Sequence, residues 1–254
     1  MSGRSSQRTW PTLVGLALAA LLVPGAVGAV ALPNITLGVQ DAESPQQISN
    51  ALQVLLVLTV FSVAPAILLM TTCFTRIVIV LGFVRQAMGT QNMPPTQVIL
   101  GLSLFLSFFI MSPTLDRINK EALQPYLKEE LSQPVALEKA LDPIRDFMLS
   151  QVKEEDLILL SEITLKNEPA DKEDIPTMTL IPAFMLSELK RAFQMGFMIY
   201  IPFLVIDMIV ASVLMSMGMM MLPPVIISMP FKLLLFVLVD GWNLVVGSLI
   251  KSFS

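Results

Sequence analysis

The sequence predicts an all-α integral membrane protein made of kinked helical hairpins with a polar helical block between them. Hydrophobic residues form 54% of the chain and the mean hydropathy is +0.74, whereas a soluble domain has roughly 45–50% apolar residues, glycine included. A 59-residue stretch from Ala192 to Ile250 carries only three formal charges. By contrast, 16 of the 20 acidic and 10 of the 16 basic residues lie between Thr114 and Ala192. A polar block therefore interrupts an otherwise membrane-like chain.

The composition also excludes several kinds of chemistry. Histidine is absent and Cys73 is the only cysteine, so the chain cannot form a His-based nucleophile, a His/Cys zinc site or an intrachain disulfide. No cluster of Lys and Arg with interleaved aromatic residues indicates nucleic-acid binding. We therefore expect a protein that is not an enzyme and that has no cofactor, no bound metal and no nucleic-acid partner.

Residues 1–31 are predicted to be a signal peptide. Two arginines among the first eight residues precede a short apolar core, Leu13–Val23, and small residues follow it. This order is typical of secretory signals, and we expect cleavage after Ala31, with Ala29 as the alternative. An uncleaved membrane anchor is the competing interpretation, although the apolar run is shorter than the roughly 20 residues that span a bilayer. Residues 32–50 are polar and are expected to form an exposed segment.

Residues 51–113 are predicted to form the first apolar hairpin. Ala51–Cys73 contains 23 uncharged residues, which is enough for one tilted membrane helix. Pro65 is expected to kink this helix, because proline removes a backbone donor and clashes with the preceding turn.

Two further apolar stretches of this hairpin are too short to cross a bilayer alone. Ile77–Val84, flanked by Arg76 and Arg85, is expected either to continue the first helix or to pair with it. Val98–Met111 would span roughly 21 Å at the helical rise, against roughly 30 Å of hydrocarbon. We therefore predict a half-length helix that Pro113 ends and that packs against protein.

Residues 114–182 are predicted to form a water-exposed block of amphipathic helices. A second short helix is expected over Glu154–Lys166, and a charged, proline-containing loop over Asn167–Pro182. The first helix is indicated by apolar residues that recur at three- and four-residue spacing on one face. These are Leu141, Ile144, Phe147, Met148 and Val152.

Residues 183–254 are predicted to form a second apolar hairpin with a Met-rich corner. The first arm contains Pro202, and the corner is placed at Pro223-Pro224, which is a strong helix breaker. The return arm is expected to run from Val225 to Phe253.

Two segments of the chain carry a resemblance to a known family. Pro182–Phe197 reads PAFMLSELKRAFQMGF, and Pro230–Trp242 reads PFKLLLFVLVDGW. They resemble the first and second signatures of the FliP family of type III export gate proteins, and the resemblance extends over nearly the whole chain. It implies a non-enzymatic, pore-forming subunit of the flagellar export gate, which conducts unfolded flagellar proteins across the bacterial inner membrane.

The resemblance also implies partners and a location. In that family five copies and one FliR form a helical ring, which FliQ decorates and FlhB contacts. The assembly lies at the flagellar basal body in contact with membrane lipid, and much of it is raised toward the periplasm. Virulence-associated type III secretion systems have a homologous core subunit, usually without so clear a cleavable signal. The signal peptide therefore favours the flagellar system.

Asp207, Lys232 and Asp240 are the three charges of the apolar stretch, and a charge at bilayer depth costs roughly 2.5–3.5 kcal/mol. With the hairpin tip between Pro223 and Pro224, Asp207 would face Asp240, and Lys232 would lie roughly 12 Å nearer the tip. A staggered contact between neighbouring copies would instead bring Asp207 to Lys232. The resemblance likewise implies an inter-subunit salt bridge at these two residues. The alternatives are that Lys232 extends to a membrane interface and that Asp207 carries protons.

Five methionines occupy residues 215–221 at the corner. Methionine is unbranched and polarizable, so a ring of these side chains can close on itself and later adapt to many sequences. The resemblance implies a pore gasket formed by Met219, Met220 and Met221. Ordinary apolar filling of a membrane segment is the alternative.

Phe147 and Glu188 are candidates for contacts between copies. Glu188 lies beside Lys190 and Arg191, so a solvated helix charge is the alternative interpretation. For the whole protein, the alternative class is an ion channel or proton-coupled carrier that works alone, with Asp207 as its substrate site.

Overall fold

A computed structural model describes residues 45–90, 93–164, 174–219 and 221–253. The chain divides into two compact units, Met1–Val54 and Leu55–Ser254. In the first unit residues 45–54 are described, and they are helical. The predicted signal peptide, its cleavage after Ala31 and most of the exposed segment 32–50 lie outside the described residues, and so does Met220.

Helices form the regular structure of the described residues, in which no strand occurs, and the all-α class is confirmed. A π-helical turn, Asn119–Leu123, joins the third helix to the fourth. In chain order the helices are α1 (Pro45–Met70), α2 (Phe74–Ala87), α3 (Thr96–Ile118), α4 (Gln124–Leu127), α5 (Gln133–Gln151), α6 (Glu154–Thr164), α7 (Thr177–Ser216), α8 (Pro224–Leu238) and α9 (Gly241–Lys251).

Three helical stretches of the described residues are long and apolar enough to cross a membrane: Leu52–Met70, Thr96–Leu127 and Thr177–Ser216. A fourth crossing results if α8 and α9, which are bent by 63° at the break between them, count as one span. From Leu52 to Met70 every side chain is at least partly exposed. Because so much apolar surface is unfavourable in water, these features support an integral membrane protein.

Prolines interrupt the helices less than the sequence predicts. α3 continues through Pro113 to Ile118, so the predicted half-length helix is wrong, and the helical run that begins at Thr96 has 32 residues. Inside a helix, proline removes one backbone hydrogen bond and bends the chain, but the turns on either side keep theirs. In α7 both Pro182 and Pro202 are likewise internal, so the loop predicted to reach Pro182 ends earlier.

The short apolar stretch after α1 forms a separate helix, α2, at the centre of the main hydrophobic cluster. Ile77, Val80 and Val84 are fully buried, and α2 packs mainly on α7 and α3. On α7, Gly196 permits this close approach, since an added Cβ would lie 2.3 Å from the ring of Phe83. The segment is thus neither a continuation of α1 nor a surface element.

The polar block is attached to the first turns of α7 by a second hydrophobic cluster. Met148 of α5 and Leu157 of α6 pack there with Leu180 and Phe184 of α7. The predicted amphipathic face of α5 is confirmed apart from Leu141, which is exposed. The helix α6 begins at Glu154, as predicted.

The return arm of the second hairpin is divided into two helices. α8 ends at Leu238, and Asp240 adopts a left-handed conformation with φ of 52° before α9 begins. Gly241 fits the bend because it lies against the ring of Phe236, where an added Cβ would be 2.3 Å from the nearest ring atom. The bend turns α9 toward the α2 region, where Val245 and Leu249 join the main cluster.

Candidate functional site

An ion pair joins the two arms of the second hairpin. Lys232 Nζ on α8 lies 2.5 Å from Asp207 Oδ2 on α7, and Ser228 Oγ donates a hydrogen bond to Asp207 Oδ1. The Lys232 side chain is 2% exposed and that of Asp207 is 23% exposed. Each charge therefore has a partner within the same chain, and the carboxylate is the more accessible half of the pair.

This arrangement overturns the geometric reason for expecting Asp207 and Lys232 to pair between neighbouring copies. α7 ends at Ser216, nine residues after Asp207, and α8 begins at Pro224, eight residues before Lys232. The two residues thus lie at nearly equal distances along their helices from the corner, so they face each other. A hairpin tip between Pro223 and Pro224 would instead place Lys232 nearer the tip than Asp207. A role for the pair in joining copies stays a prediction.

The corner between α7 and α8 presents exposed methionines. Gly218, with φ of +76°, follows the end of α7 and starts the turn. Met215, Met217, Met219 and Met221 expose 59%, 65%, 36% and 98% of their surface. The corner therefore combines arms held together by an ion pair with flexible apolar side chains at the tip. The gasket itself stays a prediction.

A second ion pair, Arg76 with Glu188, is fully buried. The guanidinium has five N–H donors, and each has an acceptor. Nε lies 2.9 Å from Glu188 Oε2, and Nη2 binds the other carboxylate oxygen of Glu188. Nη2 also reaches Gln151 Oε1 at 3.2 Å, and Nη1 donates to the carbonyl and hydroxyl oxygens of Ser252, each at 2.9 Å. The pair thus connects α2, α5, α7 and the residues that follow α9.

An aromatic ring covers one face of Arg76. The guanidinium carbon lies 3.7 Å from the ring centroid of Phe253, a cation–π geometry. This ring stacks on Phe147 with 6.4 Å between centroids. We refer to the cluster that surrounds and includes this cation as the arginine hub. Its members are Arg76, Gln151, Glu188, Ser252 and Phe253.

A third ion pair fixes the polar block to α7. Asp156, which is buried, accepts hydrogen bonds from Ser187 Oγ at 2.7 Å and from Lys190 Nζ. Burial acts to raise the pKa of the Asp156 carboxyl, but these two hydrogen bonds and the charge of Lys190 outweigh it and leave the pKa below its ordinary value. The carboxylate is therefore charged at neutral pH.

The single cysteine is buried, in a setting that disfavours its thiolate form. Burial raises the pKa of the Cys73 thiol to about 11, so the thiol is neutral at pH 7, whereas a thiolate is the reactive form. Its Sγ lies 3.7 Å from the carbonyl oxygen of Ser107. In the part of the chain that the structure describes, no group of three or more His, Cys, Asp or Glu residues is placed to hold a metal ion.

The chain resembles one known family over most of its length. The sequence profile of the FliP family matches residues 57–249, a range that includes the three ion pairs described above. This chain belongs to the FliP family. The resemblance expected from the two signature segments is thereby confirmed.

Several FliP proteins are similar to the chain over most of their own length. The flagellar biosynthetic protein FliP of Bacillus subtilis is 57% identical over 220 residues, which cover 87% of this chain and 100% of that protein. That of Pectobacterium carotovorum is 54% identical over 203 residues, covering 80% and 79%. That of Caulobacter vibrioides is 48% identical over 237 residues, covering 93% and 88%.

The two candidates for contacts between copies, Glu188 and Phe147, lie in the arginine hub and next to it. Glu188 exposes none of its side chain, so its interpretation as a solvated helix charge is wrong. Phe147 is partly buried and lies between Phe253 and Phe184, the latter at 6.0 Å between centroids. Within the chain both residues already have partners, and their contacts with another copy stay predictions.

The sequence reasoning missed Arg76, which it treated only as the flank of a short apolar stretch. The available signal was a lone arginine at the third position of the otherwise apolar start of α2, because a buried cation needs an acidic partner. That partner, Glu188, lies 112 residues away in sequence, and helical periodicity does not encode such a contact.

Proposed function

We propose that this protein is a non-enzymatic, pore-forming subunit of the flagellar type III export gate, which conducts unfolded flagellar proteins across the bacterial inner membrane. The corner of the second hairpin carries this proposal. The Asp207–Lys232 ion pair fixes the two arms, and exposed methionines lie beyond it. A ring of such corners has an adaptable apolar lining on arms that an ion pair joins, which suits unfolded chains of varied sequence. The flagellar names of the FliP relatives favour this system over a virulence system.

The same proposal includes an assembly: a helical ring of five copies with FliR, FliQ and FlhB at the flagellar basal body, much of it toward the periplasm. Its support is the length of α7, which has 40 residues. At the helical rise this is about 60 Å, about twice the thickness of the hydrocarbon layer. Part of α7 therefore lies outside lipid, where other protein must cover its apolar side chains. The polar block covers the first turns, and neighbouring copies can cover others.

Replacing Met219, Met220 and Met221 together by alanine tests the gasket. Alanine is too short to meet across a pore, so we expect cells or vesicles with the assembled variant to leak small ions. The measurement is the decay of an imposed potassium gradient with the gate at rest.

The matched control changes three exposed methionines of α7, Met178, Met198 and Met208, to alanine. It removes the same amount of side chain away from the corner, and we expect the membrane to stay tight. A tight membrane with the corner variant would remove the pore role of the methionines. A leak of equal size from both variants would show a general loss of integrity rather than a gasket.

The mass of the complex distinguishes an export gate from a carrier that works alone. We expect mild detergent to release the chain from native membranes in a complex of several copies with other subunits. A monomer that remains stable and moves protons or ions in purified lipid vesicles would overturn the export proposal and favour Asp207 as a substrate site.

A further inference from the structure

The turn after α2 lies against the ion pair of the second hairpin. Gly89, two residues beyond the end of α2, is placed so that an added Cβ would lie 3.8 Å from Lys232 Nζ and 3.4 Å from Val225 Cγ1. Both neighbours belong to α8. A residue of the first apolar hairpin therefore forms part of the surroundings of a charge in the second.

The backbone at Gly89 has a conformation that few residues adopt. Its φ is +75°, and its N–H donates to the carbonyl oxygen of Gln86 at 3.0 Å, as at many helix ends. Glycine adopts this left-handed region at no steric cost. Asparagine and aspartate are the residues with side chains that enter it most readily. These two therefore provide a matched neutral and charged pair for substitution.

The lysine that Gly89 approaches is almost completely buried. An ammonium has three donors, and among the described residues the hydrogen bond found for Lys232 Nζ is the one to Asp207 Oδ2. The turn lies beside Nζ, where an added Cβ at position 89 would be in ordinary van der Waals contact with the ammonium. The turn thus covers one side of the ammonium and helps to keep it directed at Asp207.

We propose that Gly89 is a positioning residue for the Asp207–Lys232 ion pair. Because glycine readily adopts the left-handed backbone of this turn, the α2 turn lies against Lys232, excludes water from the ammonium and holds it on the carboxylate. The first apolar hairpin and the methionine corner are thereby coupled through one charge. This link between the two hairpins rests on the proposed function in one respect, that the corner held by the ion pair lines a pore.

Cysteine pairs test the contact itself. In the variant with Gly89→Cys and Val225→Cys, the sulfur at position 225 would take the place of Cγ1, 3.4 Å from the new Cβ, which is within reach of a disulfide. We expect oxidation of isolated membranes to remove two free thiols, measured by mass after alkylation. The control pairs Val225→Cys with Gly82→Cys, because an added Cβ at Gly82 meets nothing within 4 Å, and it should stay reduced. No disulfide at 89 and 225, or equal oxidation of both pairs, would overturn the proposal.

Charge compensation tests the positioning role. In an Asp207→Ala background, Gly89→Asp places a new carboxylate beside Lys232, whereas Gly89→Asn places a neutral group of the same shape there. We expect the apparent melting temperature of the purified protein to be about 3 °C higher with Asp than with Asn, the shift that about 1 kcal/mol produces in a domain of this size. In a Lys232→Met background this advantage of Asp should disappear.

Equal melting temperatures for Asp and Asn in the Asp207→Ala background would overturn the positioning role. If that background does not accumulate, the disulfide experiment decides alone. Both experiments measure geometry and stability rather than transport. A tight membrane in the methionine test together with positive results here would remove the methionine gasket and leave the role of Gly89 in place, and the opposite pattern would remove only the role of Gly89.

Discussion

The arginine hub and the corner ion pair differ in how completely their charges are satisfied. In the hub, both side chains are fully buried and all five guanidinium donors have acceptors. At the corner, the Asp207 side chain is 23% exposed. Among the described residues, Lys232 Nζ donates one hydrogen bond, which goes to Asp207 Oδ2. The planar fork of arginine suits a fixed junction, whereas lysine is a point charge on a flexible stem. The comparison indicates a rigid anchor in one region and a less constrained contact in the other.

The largest expected effect comes from removing the cation of the hub. Arg76→Met leaves Glu188 charged and buried without its partner, which should lower the free energy of unfolding by about 3–5 kcal/mol. Reversible unfolding of the purified protein in mixed detergent micelles measures this loss.

The double variant Arg76→Met with Glu188→Met should recover most of that stability, because no uncompensated charge remains. Arg85→Met serves as the control on the same helix, since Arg85 is only partly buried and bonds to Thr96. If the single and double variants lose the same amount, the hub is held by packing rather than by charge.

At the corner, we expect Lys232→Met to cost less, about 1–3 kcal/mol. Asp207 would keep the hydrogen bond from Ser228, and 23% of its side chain is already exposed. Loss of its partner should therefore cost less than the same loss at the fully buried Glu188. The same unfolding measurement ranks the two ion pairs. A loss as large as that of Arg76→Met would show that the corner is as rigidly anchored as the hub and would end the contrast between them.

The Asp156–Lys190 pair extends the comparison to the polar block and to pH. Because the folded pKa of Asp156 is lowered, its contribution is fully present above the unfolded value of about 4 and is lost as the pH falls through the folded pKa. We expect Asp156→Asn to cost about 1.5 kcal/mol at neutral pH and to weaken the acid dependence of unfolding between about pH 5 and pH 2. If the stability of this variant falls with acid as steeply as that of the unmodified protein, the acid dependence of unfolding comes from other carboxylates.

The smallest expected effect is at the aromatic face of the hub. Phe253→Leu removes the cation–π contact with Arg76 and should cost about 1 kcal/mol, whereas Phe253→Tyr keeps a ring there and should cost less. In the Arg76→Met background the difference between Leu and Tyr should shrink, because no cation remains to be covered. A difference of the same size in both backgrounds would mean that Phe253 acts only by packing on Phe147.

Local patterns were enough to predict much of the fold. Continuous apolar runs indicated the membrane helices, and three- and four-residue spacing indicated α5 with Ile144, Phe147 and Met148 on one face. Prolines were misleading at two positions, since Pro113 and Pro182 both lie inside helices. A helix surrounded by apolar neighbours or lipid keeps its remaining hydrogen bonds, so one missing donor bends it rather than ends it.

The candidate site was predicted in part. The importance of Asp207 and Lys232 followed from their isolation in an apolar stretch, but their pairing within the chain depends on where the corner begins. Gly218 is the local sign of the end of α7, because glycine at positive φ commonly follows a helix. The prediction instead placed the corner at Pro223 and Pro224. The contact between Arg76 and Glu188 had no local sign, since the fold alone brings those helices together.

The docking of Ser252 and Phe253 on Arg76 has a consequence for how this polypeptide reaches its final form. The acceptors and the ring contributed by these two residues come from far along the chain, 176 positions after Arg76 in the case of Ser252. While the intervening residues are being synthesised, the guanidinium has to rely on other partners, and the junction closes only after Phe253 has been made.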